Sequence, residues 1–381
     1  RINLAVIEKN SAGSSNPTPL TFSSVLEEYR LMDCIKGRFA SFGYHNYCGS
    51  RIRYDFDDTP LMALDYRKAC MKILGQVLEL KPETRIIKDR VKDIYYEGET
   101  VCLRLGGDEV LRARVLIDCS GRSRLVHRIF GRPQNGYYSH VFGGCFHVDG
   151  RIPMDTAYFL LPSSEFGSGG GWFYPLADSC ASFGYATIST SEHVDSGVLQ
   201  SNFSKALAKF QPYSDILRNA RLEYYETGTI PISYIKQRVY PRILIAGDAA
   251  GMATNWTCMG IEPALQYGRL AGQMACGALM NREWNFSRAY QSAWEMENKE
   301  AYDTLEKLAS RFWFSGHETW EWIIKNDLEY LTPRQLIGRI RWNRHMISKF
   351  KIFVRALRYK IKSSIDKSAL EPRRIVVREH P

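Results

Sequence analysis

Three short apolar runs, each followed by small or acidic residues, constrain the fold more than any other feature of the sequence. They occupy residues 2–9, 115–118 and 242–246, and the third leads directly into Gly247 and Asp248. Apolar strands that stop at glycine or aspartate are typical of parallel sheets that bind a ligand at the carboxyl ends of their strands. The sequence therefore predicts an α/β fold, with the first run as a buried strand.

The segments between these runs predict antiparallel β-structure. Residues 85–105 alternate in hydrophobicity on either side of Glu97-Gly98, and residues 140–190 are rich in aromatic residues and glycine. After the third run, residues 261–275 predict a helix with a face of small residues suited to packing on a sheet, and residues 284–330 show helical periodicity. One α/β domain interrupted by a mostly antiparallel sheet is the expected architecture.

The expected domain boundaries follow these patterns. They are a discontinuous domain of residues 1–135 and 241–285 with a β-hairpin region at 85–111, an antiparallel β domain of residues 136–240, a helical region of residues 286–333, and a tail of residues 334–381.

Composition excludes several classes of protein. The 381 residues are 45% hydrophobic, yet no apolar run has the length of a membrane-spanning helix. Nine scattered cysteines without a C-x-x-C pair indicate thiols in a reducing compartment such as the cytoplasm. The eight histidines show no metal-binding spacing, so no metal site is expected.

The positive charge is confined to the tail. Residues 334–381 contain 14 Lys or Arg against 3 Asp or Glu, whereas residues 1–333 contain 37 against 38. Apolar residues from Leu336 to Ile361 recur at three- and four-residue steps, which predicts a cationic amphipathic helix suited to an anionic membrane surface. Binding to nucleic acid is not expected, although charge alone does not exclude it, and the apolar seam could instead pack on the body.

The turn at Gly247–Gly251 carries the most chemical information. Its glycines allow the backbone close to a ligand, Asp248 can accept hydrogen bonds from a polyol, and the following helix offers free N–H groups at its N-terminus. A tight turn with a capping aspartate is the structural alternative.

Four segments together resemble the FAD-dependent oxidoreductases of the p-hydroxybenzoate hydroxylase fold, and within them the geranylgeranyl reductase group. They are, in the order of that family, Ala5–Glu8, Leu64–Arg67, Leu116–Ser123 and Gly247–Gly251 with the later glycines Gly260 and Gly268. The resemblance covers residues 1 to about 280. It implies a Rossmann-type FAD-binding domain and FAD as the cofactor.

The resemblance also implies roles for single residues. Glu8 would bind the adenosine ribose of FAD, Arg67 its phosphate side, and Asp248 its ribityl chain. The other implied cofactor-binding residues are Asp118, Gly121, Gly247, Ala249, Gly251, Gly260 and Ile261.

One aromatic segment is similar to a pattern of the geranylgeranyl reductases. Residues 170–175, with Gly184-Tyr185-Ala186 eight residues later, are similar to Y-x-W-x-F-P followed by G-x-G, which lines the substrate cavity in that group. Trp172, Tyr174 and Pro175 would then form a wall for the substrate. Packing of an ordinary aromatic strand on the sheet would explain the segment equally well.

Two departures from the family pattern are expected to matter. In the family, a glycine-rich phosphate turn precedes the residue that corresponds to Glu8 by roughly 20 residues, but only seven residues precede Glu8 here. The chain is therefore expected to be truncated at its N-terminus and to lack that turn and the first strand.

The second departure is Cys258, which stands where the family has glycine. It would lie near the flavin ring with its pKa lowered by a helix N-terminus, which makes it a weak catalytic candidate, or else it is a buried thiol that fills a gap.

The function implied by the resemblance is hydride transfer from reduced FAD to carbon–carbon double bonds of an isoprenoid or similar apolar small molecule. A monooxygenase or halogenase, or a lycopene-cyclase-like flavoprotein, of the same fold is the alternative. A truncated, non-catalytic module on a membrane surface is the second alternative. The sequence identifies neither the proton donor nor the electron donor.

Overall fold

The computed structural model describes residues 2–313 except residues 16, 50, 56–60, 132–135, 150, 151, 153, 154, 164, 178 and 256. The strands are β1 Ala5–Glu8, β2 Leu20–Phe22, β3 Ile35–Phe39, β4 Ser41–His45, β5 Arg51–Asp55, β6 Leu61–Leu64, β7 Arg85–Lys88, β8 Val91–Glu97, β9 Thr100–Leu105, β10 Val110–Ala113, β11 Leu116–Asp118, β12 Tyr138–His147, β13 Thr156–Leu160, β14 Gly171–Leu176, β15 Cys180–Ser189, β16 Arg221–Pro231, β17 Val239–Tyr240 and β18 Ile243–Ile245. The helices are α1 Ser23–Glu28, α2 Tyr66–Leu80, α3 Leu125–Ile129, α4 Ser196–Lys209, α5 Tyr213–Leu217, α6 Ile261–Asn281 and α7 Phe286–Phe312.

The predicted parallel pairing of the second and third apolar runs is confirmed. β11 and β18 are parallel neighbours, with Asp118 opposite Ile245, so their carboxyl ends and the turns that follow lie side by side. All three residues of β18 are fully buried, and the hydroxyl group of Tyr290 on α7 donates a hydrogen bond to the Ile245 carbonyl at 3.0 Å. The α/β fold thus follows from these runs, and the two turns lie at one edge of the sheet.

The expectation that the first run is buried is wrong. β1 pairs in parallel with β7, and these two strands form a two-stranded sheet in the described part of the chain. Ala5 and Glu8 are exposed, and Val6 and Ile7 are half-buried. A β-branched run indicates a strand, but burial depends on which elements cover its faces.

The antiparallel strands predicted around Glu97-Gly98 are also confirmed. β8 and β9 pair from Glu97 opposite Thr100 onward, and β10 continues the meander. Gly98 has a φ of +59°, a left-handed conformation that glycine adopts without steric cost.

A large sheet forms the second layer of the molecule. Its seven strands run in the order β16-β12-β15-β14-β13-β4-β5, and their pairings are antiparallel except for β13 with β4. The mostly antiparallel character predicted for residues 140–190 is confirmed. β4 and β5 come from residues 41–55, which lie outside the segment 136–240 that was expected to form this domain.

Helix α6 begins at Ile261, as predicted, but the expectation about its small-residue face is partly wrong. Its buried residues are Pro263, Tyr267, Ala271, Ala275 and Ala278. A Cβ atom on Gly268 or Gly272 would meet nothing within 4 Å. The alanines therefore make the close packing, while these two glycines face open space.

Three further expectations concern the cysteines, membrane-spanning helices and the basic tail. None of the nine cysteines, all of which lie within the described residues, forms a disulfide. The helices of the described residues include none that is long and apolar enough to cross a bilayer. The tail of residues 334–381, with its predicted amphipathic helix, lies outside the described residues.

Candidate functional site

A cavity of about 620 Å³ lies between the turns that follow β11 and β18 and one face of the seven-stranded sheet. The turns contribute Gly121, Gly247 and Asp248, and the sheet contributes Trp172 and Tyr174. Cavities of this size, lined by apolar side chains and a few polar groups, are typical of small-molecule sites. Residues far apart in sequence, predicted separately as cofactor and substrate contacts, therefore line one space.

The turn after β18 presents a carboxyl group to the cavity. Gly247 has a φ of +63° and is followed by a short 3-10 turn over Gly247–Ala250. Burial raises the pKa of Asp248 to about 6, and the nearby Arg124 guanidinium partly offsets that rise. A carboxyl group desolvated in this way gains stability from hydroxyl donors, which hydrogen-bond to its ionised form.

Three predicted cofactor residues near these turns lie outside the cavity lining. The Asp118 carboxylate accepts hydrogen bonds from the backbone N–H groups of Ser120 at 2.8 Å and Val126 at 3.0 Å. Ala249 is fully buried, and a Cβ on Gly251 would lie 2.2 Å from the Ser233 carbonyl oxygen. These contacts shape the two turns.

The residues predicted for the adenosine and phosphate side also lie outside the cavity lining. Glu8 is exposed at the end of β1 and accepts a hydrogen bond from the Asn10 N–H at 3.1 Å. Arg67, in the first turn of α2, is exposed and packs closely on Gly13. Tyr66 connects this region to the cavity. It lines the cavity, and its pKa is raised by burial first, then by Cys70, and to a smaller extent by the charges of Asp248 and Glu8.

The aromatic segment of β14 forms part of the cavity wall. Trp172 and Tyr174 line the cavity, whereas Pro175 is buried in the strand outside the lining. The indole of Trp172 lies across Gly143 of β12 and Gly184 of β15, where a Cβ would come within 2.8 Å and 2.2 Å of its Cζ2 atom. The Trp172 ring can lie against the sheet at this place because Gly143 and Gly184 have no side chains.

This packing predicts the effect of Gly184→Ala. The added methyl group would overlap the Trp172 ring, so the ring must leave its place in the cavity wall. We expect a loss of about 1–3 kcal/mol in the free energy of unfolding and a shift in tryptophan fluorescence. Gly228→Ala on β16 is the control, because its Cβ would meet its nearest neighbour at 3.6 Å. Equal effects of the two substitutions in chemical denaturation would contradict the prediction.

Cys258 lines the cavity together with Gly260 and Ile261, but the expected lowering of its pKa is wrong. Burial, opposed by a hydrogen bond with Ser139 and aided by the nearby Asp248, raises the pKa of the Cys258 thiol to about 11. Desolvation of a thiolate here outweighs any effect of the α6 N-terminus. Its φ of +58° places it in the left-handed region, where glycine is the favoured residue.

Glu226 of β16 is a cavity residue that the sequence patterns missed. It is 3% exposed, and burial raises its pKa. Its Oε2 accepts a hydrogen bond from Ser182 Oγ at 2.7 Å, and its Oε1 accepts one from Thr18 Oγ1. Trp172 Nε1 in turn donates to Ser182 Oγ at 2.8 Å. The only sequence signal was a lone carboxylate in a β-strand.

Comparison with curated proteins finds relatives among archaeal lipid reductases, while no family model matches the chain. The chain is 27% identical over 246 residues to digeranylgeranylglycerophospholipid reductase 2 of Methanopyrus kandleri, which covers 62% of this chain and 60% of the relative. It is 26% identical over 294 residues to digeranylgeranylglycerophospholipid reductase 2 of Methanosphaera stadtmanae, covering 72% of this chain and 68% of the relative. The chain thus spans about 60% of the length of the Methanopyrus protein.

Solved structures agree on the fold. A geranylgeranyl bacteriochlorophyll reductase-like protein from Thermoplasma acidophilum superposes with a TM-score of 0.74 at 17% identity, over 85% of this chain and 84% of that one. A flavin-dependent brominase superposes with a TM-score of 0.67 at 14% identity, over 86% and 85%. The chain thus shares its fold with these two proteins, and its sequence is similar to those of digeranylgeranylglycerophospholipid reductases.

Proposed function

We propose that this protein uses FAD to reduce carbon–carbon double bonds of an isoprenoid or similarly apolar substrate. The observation that carries the proposal is the cavity in which the Asp248 turn and the aromatic wall of β14 face the same space. The similarity to reductases named for geranylgeranyl lipids supports the substrate class.

The residues of the turns fit the ribityl side of a flavin. Gly121 and Gly247 both have left-handed φ values, of +63° each, and both line the cavity, so the backbone there is open to close approach by a ligand. Asp248 would accept hydrogen bonds from the ribityl hydroxyl groups. Glu8 and Arg67 are proposed for the ribose and phosphate parts that extend outside this cavity.

Reduced FAD, when bound, supplies the hydride for one carbon of the double bond. The chain must then exclude water, hold the substrate and deliver a proton to the other carbon. The aromatic wall formed by Trp172 and Tyr174 serves the first two tasks, because an apolar chain packs well on such rings.

We propose Glu226 as the proton donor. It lies in the cavity wall, and burial raises its pKa, so its carboxyl group stays protonated to higher pH than an ordinary glutamic acid. Thr18 also lines the cavity, and its hydroxyl group donates a hydrogen bond to Glu226 that holds the carboxyl group in the cavity wall. Cys258, whose buried thiol has its pKa raised to about 11, is the alternative donor.

The test is turnover of a lipid that carries geranylgeranyl chains by the purified protein with chemically reduced FAD, under anaerobic conditions. Mass spectrometry should show the gain of two hydrogens per reduced double bond, and of two deuterium atoms when the reaction is run in deuterium oxide, because the N5–H group of a reduced flavin exchanges with solvent. A hydroxylated or halogenated product in the presence of oxygen would favour the monooxygenase or halogenase alternative. A protein that retains no flavin would favour a non-catalytic module.

The substrate class also bears on location. Lipids with isoprenoid chains are drawn from membranes, so we propose that the protein works at an anionic membrane surface on the cytoplasmic side. The basic tail of residues 334–381 is the part of the chain proposed to contact that surface. Packing of its apolar seam on the body remains the alternative.

A further inference from the structure

Three potential metal ligands lie together on the seven-stranded sheet, outside the cavity lining, and a fourth lies next to one of them. The Sγ atoms of Cys145 on β12 and Cys180 on β15 and a carboxylate oxygen of Glu223 on β16 are within 4.8 Å of one another. The separation between Cys180 Sγ and Glu223 Oε2 is 3.9 Å. Three neighbouring strands thus direct one soft or charged ligand each toward a single point.

His147 lies beside this group, next to Cys180, and we call the four residues the Cys–His–Glu cluster. It follows Cys145 by two residues on β12, so both side chains lie on the same face of the sheet. His147 pairs directly across from Cys180, and its Nδ1 atom is 3.9 Å from Cys180 Sγ. Neighbouring sulfur and nitrogen ligands of a tetrahedral Zn²⁺ ion are about 3.5 Å apart, given Zn–S and Zn–N bonds of about 2.3 and 2.0 Å. The separation of the His147 and Cys180 atoms is therefore close to that of neighbouring zinc ligands.

A β-bulge places Glu223 in the cluster. Cys145 pairs with Tyr224 and the next residue, Phe146, pairs with Leu222, so Glu223 is an extra residue on β16. Bulges turn a side chain away from the direction that regular alternation would give it. Without the bulge, two consecutive residues of β16 would point to opposite faces, and Glu223 would face away from Tyr224 and Cys145.

The surroundings of the cluster suit a site that carries negative charge. The Tyr224 hydroxyl group hydrogen-bonds the Cys145 sulfur, and Lys36 Nζ donates to that hydroxyl group at 2.8 Å. Such outer contacts orient metal ligands in known sites. The Lys36 ammonium group would offset part of the charge of two thiolates and a carboxylate.

We propose that Cys145, Cys180, Glu223 and His147 form a binding site for a thiophilic divalent cation of the Zn²⁺ class. Sulfur and imidazole ligands favour zinc over Mg²⁺ or Ca²⁺, which take oxygen ligands. Binding replaces one proton on each thiol by a bond to the cation, with no change in oxidation state. The cation would cross-link β12, β15 and β16, and the site does not depend on the proposed flavin chemistry.

Burial raises the pKa of the Cys145 thiol to about 12, so this thiol is protonated when no cation is bound. A cation inverts this preference, because it binds the thiolate directly. The sequence patterns did not show the site, since its ligands are separated by 2, 33 and 43 positions rather than by the short spacings of zinc motifs.

The proposal is tested by titrating the chelator-treated, fully reduced protein with Co²⁺ alone. We expect sulfur-to-cobalt charge-transfer absorption that saturates at one ion per chain and disappears when Zn²⁺ is added. Cys145→Ser and Cys180→Ser should each abolish most of that absorption. His147→Asn and Glu223→Gln should weaken Co²⁺ binding by about 10- to 100-fold, the range seen when ligand contacts of metal sites are altered.

Cys102→Ser is the matched control, because Cys102 is a fully buried cysteine on β9, outside the cluster. It should leave the Co²⁺ spectrum unchanged. If Cys145→Ser fails to fold, the His147 and Glu223 variants still decide the question, since both side chains are partly or largely exposed. The proposal fails if the reduced protein shows no charge-transfer band, or if the band persists equally in the four cluster variants.

Discussion

Glu226→Gln is expected to slow double-bond reduction by about 10²- to 10⁴-fold, the usual contribution of a positioned general acid, while the protein still binds flavin. The amide keeps the size of the side chain and can still hydrogen-bond Thr18 and Ser182, but it has no acidic proton to donate. Single-turnover measurements with pre-reduced enzyme would isolate this step from flavin reduction.

The pH dependence provides a second readout. The proposed donor acts in its protonated form, so the rate should fall as pH rises through the raised pKa of Glu226. Ser182→Ala removes a hydrogen bond that favours the ionised carboxylate, and should move this fall to higher pH. If Glu226→Gln keeps both the rate and the pH profile, and Cys258→Ser loses them, then Cys258 is the donor.

Asp248→Asn is expected to have opposite effects on flavin binding and on the stability of the flavin-free protein. Flavin affinity should fall, because a charged acceptor for the ribityl hydroxyl groups is lost, and charged hydrogen bonds contribute about 1.5–3 kcal/mol each. The affinity loss would be measured by fluorescence titration of the apoprotein with FAD.

The stability of the flavin-free Asp248→Asn protein should increase at pH 8. The pKa of Asp248 is raised to about 6 in the folded protein, so between the ordinary aspartate value and 6 the folded state binds more protons than the unfolded state. Stability is therefore lost as pH rises through this window, by at most roughly 3 kcal/mol, and asparagine would not incur that loss.

Urea denaturation of both flavin-free proteins at several pH values would check the sign. The difference between Asp248→Asn and the natural protein should be largest at pH 8 and shrink toward pH 5. Asp118→Asn is the comparison, because the Asp118 carboxylate accepts two backbone hydrogen bonds and its replacement should destabilise the protein at pH 8. If Asp248→Asn lowers the free energy of unfolding of the flavin-free protein at pH 8, the predicted cost of burying the ionised Asp248 carboxylate is wrong.

The sequence was sufficient for the parallel strands and for part of the site. β11 and β18 could be predicted because a buried parallel strand is a continuous apolar run, and the glycines after it fall where a ligand approaches. Trp172 and Tyr174 could be predicted from their resemblance to a known motif. In each case the informative residues are close together in the chain.

The sequence was insufficient where partners are distant. Glu226 binds Thr18, which is 208 positions away, and no local pattern signals that contact. The prediction that β1 is buried was wrong for the same reason, because the exposure of a strand depends on which elements pack against it. The direction of the Cys258 pKa shift was wrong because desolvation by the surrounding fold dominates it.

The two sides of the cavity come from separate elements, so substitutions can alter one side independently of the other. The Asp248 side depends on a parallel edge and short turns, whereas the other side depends on β14 and the glycines beneath Trp172. Substitutions on β14 can therefore alter which molecules fit without disturbing the turns. Redesign for a different carbon skeleton should therefore begin with the residues of β14. The reductase-like protein and the brominase share this fold, so one fold accommodates different chemistries.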